Sequence, residues 1–164
     1  MITTMDPSLG AALLKLRANL ELGKRISELE ASGVNVIIQP GPTLIVSNTD
    51  MRGPKDYVIS INSKGDNKES IKKWGIKGTT EVNSIAHELG HVYFNYLINV
   101  KGKPLVSGPA GVPPDKWEEM LSEATSRRFD NSTRPIGVIV PAADARAEGA
   151  WEILNDSFSL NPFN

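Results

Sequence analysis

The chain has 164 residues, 40% of them hydrophobic, with 18 basic against 19 acidic side chains and a formal net charge of −1. That is enough chain for one self-supporting core, and the even charge balance speaks against a nucleic-acid surface, which needs a basic excess. There are no cysteines, which excludes disulfides, thiolate metal sites and cysteine nucleophiles.

Met1 to Gly10 carries no basic side chain, and the apolar run Ala11 to Leu14 is cut short by Lys15 and Arg17. A secretory signal needs the opposite arrangement, and no apolar stretch approaches the ~18 residues of a membrane span. The expectation is a chain without a signal peptide, either cytoplasmic or delivered by a specialised secretion system. Pro7 to Ser32 reads as one amphipathic helix, capped by Asp6 and ended by Gly33. Three β-rich runs follow: Val34 to Gln39, Thr43 to Ser47 and Asp56 to Asn62. The turn residues Pro40-Gly41-Pro42 separate the first two, and Asn48-Thr49-Asp50 with Gly53-Pro54 the last two. In the third run Tyr57, Ile59 and Ile61 share one face. A small antiparallel or mixed sheet is expected. Ser63 to Gly78 is polar and reads as a loop. Thr79 to Asn99 is a second helix, with Glu81 in its first turn. After a Gly/Pro-rich loop from Val100 to Pro114, a third helix is expected from Asp115 to about Thr133. Ile136 to Val140 reads as a late strand, and Ala142 to Leu154 as a closing helix. One α+β domain spanning residues 1–164 is the simplest organisation.

Within the second helix stands His87-Glu88-Leu89-Gly90-His91. Histidines four residues apart project from one helix face, so both imidazoles can reach a single Zn²⁺. Glu88 can then serve the zinc-bound water as general base. Ile85, Leu89, Val92 and Tyr96 fall on the opposite side at about 100° per residue, an apolar face that should enter the core. Gly90 disfavours a helix by roughly 1 kcal/mol relative to Ala, and a close approach by another element would account for it. These are the chain's only two histidines, and a catalytic zinc takes three protein ligands. The third ligand is therefore expected to be an Asp or Glu, and the helix after the loop offers Glu118, Glu119 and Glu123. The stripe of Trp117, Met120, Leu121, Ala124 and Arg128 should face the core. It leaves Glu118 and Glu123 on its two borders, with Glu119 pointing more nearly to solvent.

These residues resemble the gluzincin metallopeptidases. Glu123-Ala124, then Asp130-Asn131 and Arg134, is similar to a weaker pattern in small bacterial effector and toxin domains of that kind. There the acid before the Asn is usually Glu, where this chain has Asp130. The resemblance covers Glu81 to Arg134. It implies a zincin-like fold and Glu123 as third ligand, with Asp130, Asn131 or Arg134 supporting the site. It also implies delivery into another cell and a cognate immunity or inhibitor protein.

A donor for the oxyanion is still required, and Tyr57, Tyr93, Arg127 and Arg134 are the candidates. The strand Asp56 to Asn62 precedes the motif helix, as the substrate-binding edge strand does in zincins, so a peptide could pair with it. The expected activity is a zinc endopeptidase acting on a protein or peptide substrate. The alternatives are a zinc-binding module without proteolysis and an amidase acting on cell-wall peptides.

Overall fold

The computed structural model describes residues 1–42, 47–62, 81–102, 118–119, 121–122 and 125–126. Its elements are β1 (Ile2–Thr4), α1 (Pro7–Ala18), α2 (Leu20–Ala31), β2 (Asn35–Pro40), β3 (Asn48–Gly53), β4 (Asp56–Ile61) and α3 (Glu81–Asn99). Glu118, Glu119, Leu121, Ser122, Thr125 and Ser126 are helical as well. The fold is α+β; among the described residues three helices can be bounded, beside one mixed four-stranded sheet of order β1-β2-β4-β3. The late strand and closing helix expected after Thr133, and the loop from Ser63 to Gly78, lie outside the described residues.

The expected first helix is two helices. Asn19 stands between them with extended backbone, at φ −70° and ψ 128°, and its Oδ1 accepts from the amides of Glu21 and Leu22 at 3.1 Å each. An Asn side chain that caps a new helix competes with continuation of the old one, and apolar periodicity alone does not register such a break. At the far end the chain turns as expected at Gly33, whose φ of +81° suits glycine.

The strand β1 was not read from the sequence, because three residues give too short a pattern. It pairs in parallel with β2, Ile2 opposite Val36. The strand β2 pairs in parallel with β4, Val36 opposite Tyr57 and Ile38 opposite Ile59. This register lines Ile2, Val36, Ile38, Tyr57, Ile59 and Ile61 on one face, and all six are buried. A second correction concerns β3, which occupies Asn48–Gly53 where the composition reads as a turn. It pairs antiparallel with β4 at the sheet's edge. Polar residues are tolerated there because the partner strand supplies the pairing while most of the side chains meet water. Of the expected run Thr43 to Ser47, only Ser47 is described, and it precedes β3. The edge position also overturns the assignment of Asp56 to Asn62 as an edge strand. Flanked by β2 and β3, β4 has partners on both sides, and among the described strands β3 is the edge.

The helix α3 lies against α1 and the β3–β4 half of the sheet. Ile85, Leu89, Val92 and Tyr96 are at most 2% exposed, so the apolar face opposite the histidines is the core face. The Tyr96 hydroxyl is 2.8 Å from Ser32 Oγ, linking α3 to the end of α2. Ser8 at the start of α1 donates to the Glu81 carboxylate at the start of α3. With its core face held at both ends, α3 turns His87 and His91 to the opposite side.

Candidate metal centre

His87 and His91 stand one turn apart on α3, ring centroids 5.3 Å from each other. They meet a carboxylate from the helical residues beyond the loop, and that carboxylate is Glu119. Its Oε2 lies 3.1 Å from His87 Nε2, and its Oε1 lies 3.1 Å from His91 Nε2. On the other side of the His91 ring, Nδ1 is 2.9 Å from Glu118 Oε1. As an imidazolium His91 donates from Nδ1 to Glu118 and from Nε2 to Glu119; with Nδ1–H kept on Glu118, loss of the Nε2 proton would free that nitrogen for a metal. The chain thus brings two imidazole nitrogens and one carboxylate oxygen within 4.8 Å of one another.

Periodicity places Glu119 more nearly toward solvent than Glu118, and its side chain is 34% exposed against 30%, yet it is Glu119 that contacts both imidazoles. Leu121, the described member of the apolar stripe, is buried as expected, and Ser122, Thr125 and Ser126 are at most 1% exposed as well, so the buried face also takes in small polar residues. The cause is the crossing at Gly90. A Cβ at that position would stand 2.5 Å from Ser122 Cα and 3.0 Å from both Ser122 O and Thr125 Oγ1. Backbones packed this tightly select small side chains at the crossing, polar or not, because nothing larger fits. The sequence expectation of a close approach at Gly90 holds, and Ser122 with Thr125, three residues apart, is the pattern that could have identified its partner.

Electrostatics couple the three groups. Burial by itself would raise the Glu119 carboxyl, but hydrogen bonds from His87 and His91, with their charges, hold it well below the usual carboxylate range. Burial alone would lower His91, and the bonds to Glu118 and Glu119 outweigh it, raising the imidazole to about 9. Each shift therefore expresses the same attraction between imidazolium and carboxylate.

Glu88 points elsewhere on the helix. It is 5% exposed, and its Oε2 accepts from Thr49 Oγ1 of the edge strand at 2.6 Å. Burial pushes this carboxyl upward, against the lowering by the two histidines and by the Thr49 hydroxyl. Nothing in the sequence singled out Thr49, because the contact spans 39 residues and depends on where β3 pairs.

Tyr57 and Tyr93, proposed from sequence as oxyanion donors, occupy other places. The Tyr57 hydroxyl donates to Pro54 O at 3.4 Å, at the β3–β4 turn. Tyr93 is 1% exposed, lines the apolar space between helices with Leu16, Leu22 and Ile26, and has its phenol raised by burial. Neither belongs to the histidine–carboxylate group. Glu123, Arg127, Asp130, Asn131 and Arg134 lie outside the described residues.

Compared with protein-family models, with curated proteins and with solved structures, the chain matches none of them. No helix among the described residues is long and apolar enough to cross a membrane.

Proposed function

We propose that the chain is a zinc-dependent hydrolase of peptide bonds, gluzincin-like in its ligand set, with His87, His91 and Glu119 as ligands and Glu88 as general base. The observation that supports it is the convergence of Glu119 on both motif histidines. Two imidazoles and a carboxylate are a donor set that zinc takes in catalytic centres, leaving a fourth position open. Ligand atoms at ~2.0–2.1 Å from a tetrahedral ion lie roughly 3.3 Å apart. The carboxylate meets each imidazole nitrogen at 3.1 Å, through Oε2 for His87 and Oε1 for His91, and one ligand atom from each residue lies within 4.8 Å of the others. When bound, zinc acidifies a coordinated water toward ~7 and polarises a carbonyl.

The residues of the chain divide the remaining work. Glu118 accepts from His91 Nδ1 and fixes which ring nitrogen turns to the ligand group. Glu88, next in sequence to His87 and shielded from bulk water, takes the proton of the attacking water and passes it to the leaving amine. Among the described strands β3 has a partner on one side alone, and an extended peptide could pair along the other, beside the base that β3 itself contacts.

The test pairs metal content with hydrolysis. The wild-type chain is expected to hold about one zinc and to cleave a peptide library or casein in a chelator-sensitive way. Glu88→Gln should keep the metal and lose about 10²–10⁴-fold in rate, the usual contribution of general acid–base catalysis. Digestion of isolated cell wall run in parallel distinguishes an amidase from an endopeptidase. Proteolysis by the Gln variant at the wild-type rate would falsify the assignment of Glu88.

A further inference from the structure

In the β3–β4 pairing Thr49 stands opposite Ile59. Directly opposed residues share a face, and Ile59 is fully buried, so the Thr49 side chain turns toward the helices. Its neighbours Asn48 and Asp50 face solvent. The Thr49 hydroxyl lies 2.6 Å from Glu88 Oε2 and 3.2 Å from Glu88 O. It has one proton to give, and the shorter, charge-assisted bond to the carboxylate takes it.

We infer that Thr49 is a positioning residue for Glu88: its hydroxyl holds Oε2 against the edge strand and leaves Oε1 to take the proton of the attacking water. The inference rests on the zinc-hydrolase reading and deepens it. The strand that would pair with an extended peptide also fixes the base, so scissile bond and base are set from one element. Glu88 is 5% exposed and little oriented by bulk water, and among the described residues the Thr49 hydroxyl is the group bonded to its carboxylate.

Thr49→Val removes the hydroxyl and keeps the β-branched shape, while Thr49→Ser keeps the hydroxyl. Two measurements are made on both variants and on wild type. The first is the ¹³C resonance of the Glu88 carboxyl in the zinc-free protein. The second is steady-state peptide hydrolysis with zinc content. In Thr49→Val the resonance shifts, and kcat falls by roughly 10- to 100-fold with KM and zinc content held, because a misplaced base costs rate without touching ground-state binding. Thr49→Ser restores both readouts.

An unmoved Glu88 resonance in Thr49→Val overturns the inference. So does a wild-type kcat in Thr49→Val, or a Thr49→Ser variant as impaired as Thr49→Val. In each of these cases the zinc-hydrolase reading survives, provided that Glu88→Gln is inactive. A wild-type chain without zinc-dependent hydrolysis removes that reading, and this inference with it.

Discussion

At the scale of single residues, the question the structure raises is which carboxylate completes the histidine pair. Glu119 contacts both imidazoles, and Glu118 contacts the far nitrogen of one. The two neighbours therefore have different expected effects on zinc affinity. Glu118→Ala releases the orientation of His91 and should weaken binding about 10- to 100-fold, the range usual for partners behind a ligand. Glu119→Gln removes a ligand charge and should weaken it by more than that range. Glu123→Gln, which alters the residue implied by the gluzincin resemblance, should bind zinc like the wild type. Calorimetric zinc titration of the three variants settles the ranking, and a loss confined to Glu123→Gln would assign the third ligand to Glu123.

The position of Glu119 depends on how one helix passes another, which is a matter of elements. The crossing at Gly90 brings Ser122 Cα to 2.5 Å from where a Cβ would stand. Since the obstacle is backbone, Gly90→Ala must displace the segment rather than a flexible side chain. Alanine gains roughly 1 kcal/mol in helix propensity, but overpacking costs about 1–3 kcal/mol. A net loss of up to about 2 kcal/mol in denaturant stability of the zinc-free protein is expected. Glu118 and Glu119 ride on the displaced segment, so zinc affinity should fall as well. A Gly90→Ala protein with wild-type stability and affinity would mean that the two backbones are not in contact there. The same scale explains the broken N-terminal helix. Asn19 starts α2 by accepting at Oδ1 from the amides of Glu21 and Leu22, and in doing so it ends α1.

Across the whole molecule, one ion pair ties the first strand to both N-terminal helices. Arg17 Nη1 meets Glu30 Oε1 at 2.6 Å, Arg17 Nη2 donates to Ile2 O at 2.8 Å, and the Ile2 amide donates to Glu30 Oε2 at 2.9 Å. The Arg17 hydrogen bond, against a smaller effect of burial, lowers the Glu30 carboxyl below its ordinary value of 4.5. A carboxyl lower in the folded state than in the unfolded chain contributes stability that is present above the unfolded value. That stability is lost as the pH falls through the folded value. The urea midpoint of wild type should therefore exceed that of Glu30→Gln near pH 6, and the gap should shrink as the pH falls below the ordinary value of 4.5 and on through the lowered folded value. A gap that stays constant with pH would show that the charge on Glu30 contributes nothing.

The sequence by itself determined the parts that follow from local spacing. The two histidines and Glu88 are placed by the helical period, and so is the apolar face of Ile85, Leu89, Val92 and Tyr96. The absence of cysteine and of a third histidine made a carboxylate the donor expected to complete a metal site. Gly90 advertised a close contact through its cost in a helix. The alternation of Tyr57, Ile59 and Ile61 gave a strand with one buried face, because a pleated chain repeats every two residues. What only the tertiary structure decided are relations between segments far apart in the chain. The edge position of β3 is set by pairing with β4, not by its own polar composition. Glu119 joins the histidines where the crossing at Gly90 buries Ser122 and Thr125, which read as surface residues. Thr49 reaches Glu88 because a strand register turns it inward. In each case packing geometry overrides side-chain polarity, and polarity is what a periodic reading of one segment relies on.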